Sequence, residues 1–155
     1  MRTLTTDRFG TLTFEEELLI EFPFGLPAFE EETQFLLVQR EALHPLVFLQ
    51  SAKAPNLCFT MVPIEYVDPG YHLRIGVADR KALGWNEEGG EHTDTGVLCF
   101  GILCANDGTA PTVNLLGPVV IDQKRRVGVQ AVREDALYSA QHELFPAGQG
   151  DAQCL

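Results

Sequence analysis

The chain has 155 residues, 45% of them hydrophobic, and a formal charge of −11. That length suits one ordinary domain with a real core. No apolar run reaches the roughly 18 residues of a membrane span, and Met1 to Asp7 lack the apolar core of a secretion signal, so neither insertion nor export is expected. The acidic balance repels nucleic acid at long range and attracts basic proteins.

Strand signals dominate from the start. Thr3 to Phe14 reads as a hairpin around Gly10, and Leu18 to Phe22 as a strand following Glu15, Glu16 and Glu17. The next stretch, Phe22-Pro23-Phe24-Gly25-Leu26-Pro27-Ala28-Phe29, cannot be helical. Pro23 and Pro27 lack an N–H and clash with a preceding helical turn. Gly25 can supply a positive-φ corner. A stiff apolar turn is expected, with Leu26 and at least one phenylalanine docked on the body of the protein. Glu21 precedes it, and Glu30, Glu31 and Glu32 follow it. A rigid apolar knuckle set in negative charge suits gripping a partner better than catalysis. The competing reading is a surface turn whose rings belong to the core.

Short apolar runs at Phe35–Val38, Leu46–Leu49 and Leu57–Val62 read as strands. Tyr71 to Val77 alternates apolar with polar residues and predicts a half-exposed strand. Ala78 to Leu83 predicts one or two helical turns ended by Gly84, and Trp85 to Thr95 a polar loop. Gly96 to Ala105, apolar on both faces, predicts a central strand. Val113–Leu116 and Val119–Ile121 flank Gly117-Pro118, predicting a bulge within one edge path. Asp122 to Arg126 is a polar turn leading to a returning strand from Val127. Asp135 to Ser139 predicts a single helical turn. The fold class is therefore mainly β: a compact antiparallel barrel-like or sandwich domain with one or two short helical turns. It is expected to span residues 1–145, with a disordered tail over 146–155.

Most catalytic templates are missing. There is no G-x-S-x-G elbow, H-E-x-x-H, P-loop or G-x-G-x-x-G. His44, His72, His92 and His142 are scattered, and nothing pairs one with a nucleophile. The acids at 87–94 lack the alternating spacing of a calcium loop. Cys58, Cys99 and Cys104 lie in apolar runs without zinc spacing and are expected to be buried reduced thiols, leaving Cys154 as the exposed one. Lys124-Arg125-Arg126 is the only basic run and lacks interleaved aromatic residues. No direct nucleic-acid binding is expected, and no metal or cofactor.

Several blocks stand in order along residues 2 to 140. The first is Phe22 to Phe29 with its Gly-Leu-Pro centre. The second is Leu46-Val47-Phe48-Leu49-Gln50-Ser51 with Ala54-Pro55-Asn56-Leu57-Cys58-Phe59. The third is Val113 to Asp122, then Arg126, Gly128 and Gln130, and the fourth is Tyr138-Ser139. Together these resemble the FliW family of flagellar assembly factors. Ala28 stands where a second glycine is common in that family, and residues 140–145 lack the family's basic and proline character.

The resemblance implies a barrel-like β-fold, no enzyme activity and no cofactor. It implies a cytoplasmic partner switch that binds flagellin and, once flagellin is exported, the RNA-binding translational regulator CsrA. That binding antagonises CsrA and relieves repression of flagellin synthesis. Glu15, Glu16, Glu17, Glu30, Glu31 and Glu32 are assigned to steering CsrA, and Leu26 and Phe29 to shaping the turn. An alternative assignment gives flagellin the apolar turn and CsrA the loop at 87–94. A monomer is expected. The alternative function is a small-molecule-binding β-barrel or a minor thiol enzyme using Cys58, Cys99 or Cys104.

Overall fold

The structure, a computed structural model, describes residues 1–85, 96–105, 108–135 and 137–144. Apart from Trp85, which is buried against the barrel, the loop expected at 85–95 lies outside these residues, as do the tail expected at 146–155 and its Cys154.

β1 (Arg2–Thr6) and β2 (Gly10–Phe14) form an antiparallel hairpin as a separate sheet. Thr6 Oγ1 accepts the Phe9 N–H and donates to the Gly10 carbonyl, both at 2.9 Å, which closes the turn. The hairpin lays Phe14, Leu12, Leu4 and Phe9 over Leu36, Val38 and Phe48.

The main sheet contains β3 (Ile20–Glu21), β4 (Gln34–Gln39), β5 (Val47–Ser51), β6 (Cys58–Pro63), β7 (Val97–Cys104), β8 (Thr112–Asp122), β9 (Val127–Gln130) and β10 (His142–Glu143). Its order is β10-β8-β7-β6-β5-β4-β3-β9, and β9 also pairs with β8, so β3 to β9 close into a barrel. Neighbours run antiparallel except at the closing seam, where β3 and β9 pair in parallel through Glu21 and Val127. Closure pairs most of the edge that an open sheet would present. The interior is filled by Ile20, Phe22, Leu26, Phe35, Leu49, Met61, Phe100, Val119 and Ile121. The expected mainly β, barrel-like class is the one observed.

The Gly117-Pro118 irregularity is present, but on an interior strand rather than an edge path. β8 pairs with β7 on one side and with β9 and β10 on the other. Between Phe100↔Val119 and Ile102↔Asn114 the register shifts, with Gly101 facing the chain from Leu115 to Pro118. Asn114 Oδ1 accepts the N–H groups of Leu116 (3.0 Å) and Gly117 (2.9 Å), and Gln130 Nε2 donates to the Gly117 carbonyl at 2.9 Å. These bonds replace ladder partners that the bulge forfeits.

Other expectations are corrected. Tyr71 to Gly76 is irregular, and Val77 opens the helix α2 (Val77–Ala82), while α1 (Ile64–Val67) is a helical turn that the apolar pattern did not announce. The alternation at 71–77 is satisfied by packing on the outside of the barrel. Leu73 and Ile75 lie against Leu83, Trp85, Val120 and Val129, and Tyr71 donates its hydroxyl to the Leu115 carbonyl at 2.6 Å. Glu16–Leu18 forms a 3-10 turn, which shortens the strand expected from Leu18. Among the described residues of 135–139 none is helical. Instead, the buried Arg133 holds Asp135 through two bonds of 2.9 and 2.7 Å and donates to the His72 carbonyl. Its guanidinium lies over the rings of Tyr71 and Tyr138. Cys104 is exposed at the end of β7, not buried.

Candidate partner-binding site

The apolar turn leaves β3 at Phe22, whose N–H bonds the Thr33 carbonyl at 2.7 Å across the base. Gly25 donates to the Phe22 carbonyl at 2.8 Å, closing a first tight turn. Leu26 and Phe29 then exchange bonds of 3.3 and 2.7 Å, closing a second. Gly25 has φ +62, and a Cβ there would stand 2.6 Å from the backbone of Phe29 and Glu30. Only glycine fits that corner. Ala28 has φ +72, left-handed backbone that glycine accepts more readily.

The side chains sort into anchors and surface. Phe22 and Leu26 are fully buried, and Phe22 presses on Gly128 of β9, where a Cβ would meet its ring at 2.6 Å. Phe24 is 53% exposed and Phe29 40% exposed. Phe29 is not loose: its ring packs edge-on against Phe59 at 5.6 Å, and Phe59 leads on to Phe35 and Phe22. The expected docking of Leu26 and one phenylalanine therefore holds. Leu26 shapes the turn from inside and offers no surface. Phe24, at the apex between Pro23 and Gly25, is the larger exposed ring, and sequence reasoning did not single it out. The signal available was alternation, since an inward Phe22 turns Phe24 outward.

The acids divide as well. Glu30 and Glu31 are exposed beside the turn, and Glu30 accepts the Ala28 N–H at 3.2 Å. Glu32 is half-buried and accepts a 3.0 Å bond from Ser51 Oγ, which also accepts the N–H groups of Lys53 and Ala54. Glu32 ties the turn to the loop after β5. Glu15, Glu16 and Glu17 are exposed at the other end of β3, with Glu15 3.7 Å from the N-terminal ammonium.

Cys58 and Cys99 are poorly suited to nucleophilic chemistry. Burial pushes Cys99 up to about 12, and it raises Cys58 against an opposing pull from Arg8. Among the described residues no group of His, Cys, Asp or Glu is placed to hold a metal ion. No helix among them is long and apolar enough to cross a membrane.

A family model described as "FliW protein" matches residues 3–144. The chain belongs to the FliW family. It is 33% identical over 145 residues to the flagellar assembly factor FliW of Syntrophomonas wolfei, covering 93% of this chain and 89% of that one. It is 31% identical over 144 residues to the flagellar assembly factor FliW of Heliobacterium modesticaldum, covering 93% and 91%. A crystal structure of the flagellar assembly factor FliW superposes with a TM-score of 0.81 at 28% identity, over 95% of this chain and 99% of that chain. The FliW barrel explains the conspicuous blocks: Phe22 to Phe29 is the turn, Gly128 is the floor under Phe22, and Asn114 and Gln130 brace the bulge.

Proposed function

We propose that this chain is a non-enzymatic flagellar assembly factor that binds flagellin and the translational regulator CsrA in the cytoplasm. Its binding to CsrA antagonises that regulator and relieves repression of flagellin synthesis. The observation that carries this reading is the buttressed turn, with the Phe24 and Phe29 rings exposed and Glu30 and Glu31 beside them. Aromatic rings held rigidly at a surface lose little entropy on docking. Acidic side chains around them steer a basic, RNA-binding partner and place negative charge where RNA must approach. The raised thiols of Cys58 and Cys99 and the filled barrel interior speak against those two cysteines as nucleophiles and against an internal small-molecule pocket.

Isothermal titration with CsrA and, separately, with flagellin from the same genome tests the proposal. Saturable binding to both is expected, with flagellin displacing CsrA. Binding to flagellin alone removes the translational half of the reading, and binding to neither overturns it.

A further inference from the structure

Beside β4 the described residues leave a stretch of sheet edge open, and it lies in a groove. β3 bonds β4 through the Phe22 N–H to the Thr33 carbonyl and pairs with it again at Ile20 and Phe35, beyond which β3 does not extend. Bonded positions alternate along an antiparallel pair, so the main chains of Leu37 and Gln39 face the same side as Phe35. Leu18, which would face Leu37, is instead in the 3-10 turn with its N–H on the Glu15 carbonyl at 3.0 Å. The N–H groups of Leu37 and Gln39 therefore point into a groove of about 300 Å³, walled by Leu12 and Phe14 of β2 and by the half-exposed Leu18. That is the size of the smallest ligand pockets.

The charge of this groove is opposite to that of the chain. Arg40 and Arg126 line it, and no carboxylate does, in a protein of net charge −11. Arg40 lies 5.3 Å over the Phe9 ring, and Arg126 has no ion-pair partner among the described residues. Glu17 and Glu41 adjoin lining residues in sequence but line no part of it.

We infer that this groove is a second docking site, which takes an extended peptide segment of a partner as an added strand along Leu37–Gln39. The segment's main chain bonds the open edge, its apolar side chains sit between Phe14 and Leu18, and its carboxylates meet Arg40 and Arg126. The site is separate from the Phe24–Phe29 turn and stands whether or not that turn binds CsrA.

The test uses a capped fluorescent peptide of about eight residues, alternating valine and threonine with a glutamate at each end. Anisotropy and amide hydrogen exchange are read together on the full chain. Saturable binding is expected, with slowed exchange at Leu37 and Gln39. The same peptide with lysine ends should bind about tenfold more weakly. Gln39→Pro removes the groove-side N–H while leaving the β5 ladder, because Gln39 faces Val47 at a non-bonded position. Arg126→Asn removes the charge while tolerating the φ of +55. Each variant should weaken the glutamate-ended peptide about fivefold or more. No saturable binding, binding without protection at Leu37 and Gln39, or binding indifferent to both variants overturns the inference. Protection that grows with protein concentration alone also overturns it, assigning the edge to a second copy of this chain.

Discussion

Gly25 and Ala28 carry most of the conformational burden of the turn. Gly25→Ala forces a Cβ to 2.6 Å from backbone atoms that cannot rotate away. We expect a loss of at least about 2 kcal/mol, read as a lower urea midpoint with unchanged slope. Ala28→Gly acts in the opposite direction. A left-handed alanine costs about 1–2 kcal/mol, partly offset by the extra unfolded-state freedom of glycine. A gain of about 0.5 kcal/mol is expected, and a clear loss of stability would show that the φ of +72 is not strained.

Asp122 is a third such residue. Burial raises its pKa, but the Trp85 indole N–H at 2.9 Å, the Arg125 N–H and the Arg125 guanidinium together outweigh burial and hold it below the usual carboxylate range. A depressed folded pKa contributes stability that is present above the unfolded value of about 4 and lost as pH falls through the folded one. Trp85 is the only tryptophan, so its fluorescence reports the event. Acid titration should shift emission below about pH 4, and Asp122→Asn should abolish that step.

Among the elements, the C-terminal segment depends on one cation. Leu115 donates to the Ser139 carbonyl at 2.9 Å, and the His72 N–H reaches the Tyr138 hydroxyl at 3.0 Å. Both strands of chain converge on Arg133, which lies over the mutually packed rings of Tyr71 and Tyr138 and pairs with Asp135. Arg133→Met removes the charge and keeps much of the volume. Faster amide exchange is expected at Leu115 and His72, with little change in the β4–β5 ladder, so exchange that stays uniform contradicts this clamp. Burial also pushes the Tyr71 hydroxyl up to about 12. A raised folded value means that stability is lost as pH climbs from about 10 toward that value. The same amides should therefore open first in alkali.

Across the entire chain, charge acts at a distance and packing acts on contact, so the two are separable by kinetics. Glu30→Lys with Glu31→Lys should slow association with CsrA by up to about tenfold at low salt and flatten its salt dependence. Phe24→Ala should instead raise the off-rate. Glu32 is excluded from the charge test because its bond to Ser51 braces the turn. An unchanged on-rate in the double reversal removes steering by this patch.

Much of this architecture is written locally. Apolar runs such as Phe35–Val38 and Leu57–Val62 commit the chain to strands, because side-chain period and steric preference act over a few residues. The turn at Phe22–Phe29 is equally local, set by two prolines and a glycine. The order of its blocks was enough to reveal the family resemblance. The alternating run at Tyr71–Val77 misled, because alternation records which side chains are buried and not whether a strand is available to pair. Barrel closure joins Glu21 to Val127, residues far apart in the chain, and no local signal encodes that contact. The same distant packing turned Leu26 inward, left Phe24 outward, bound Glu32 to Ser51 and ended β3 short of Leu37. Local sterics choose the elements; long-range burial and pairing choose which residues remain at the surface to meet a partner.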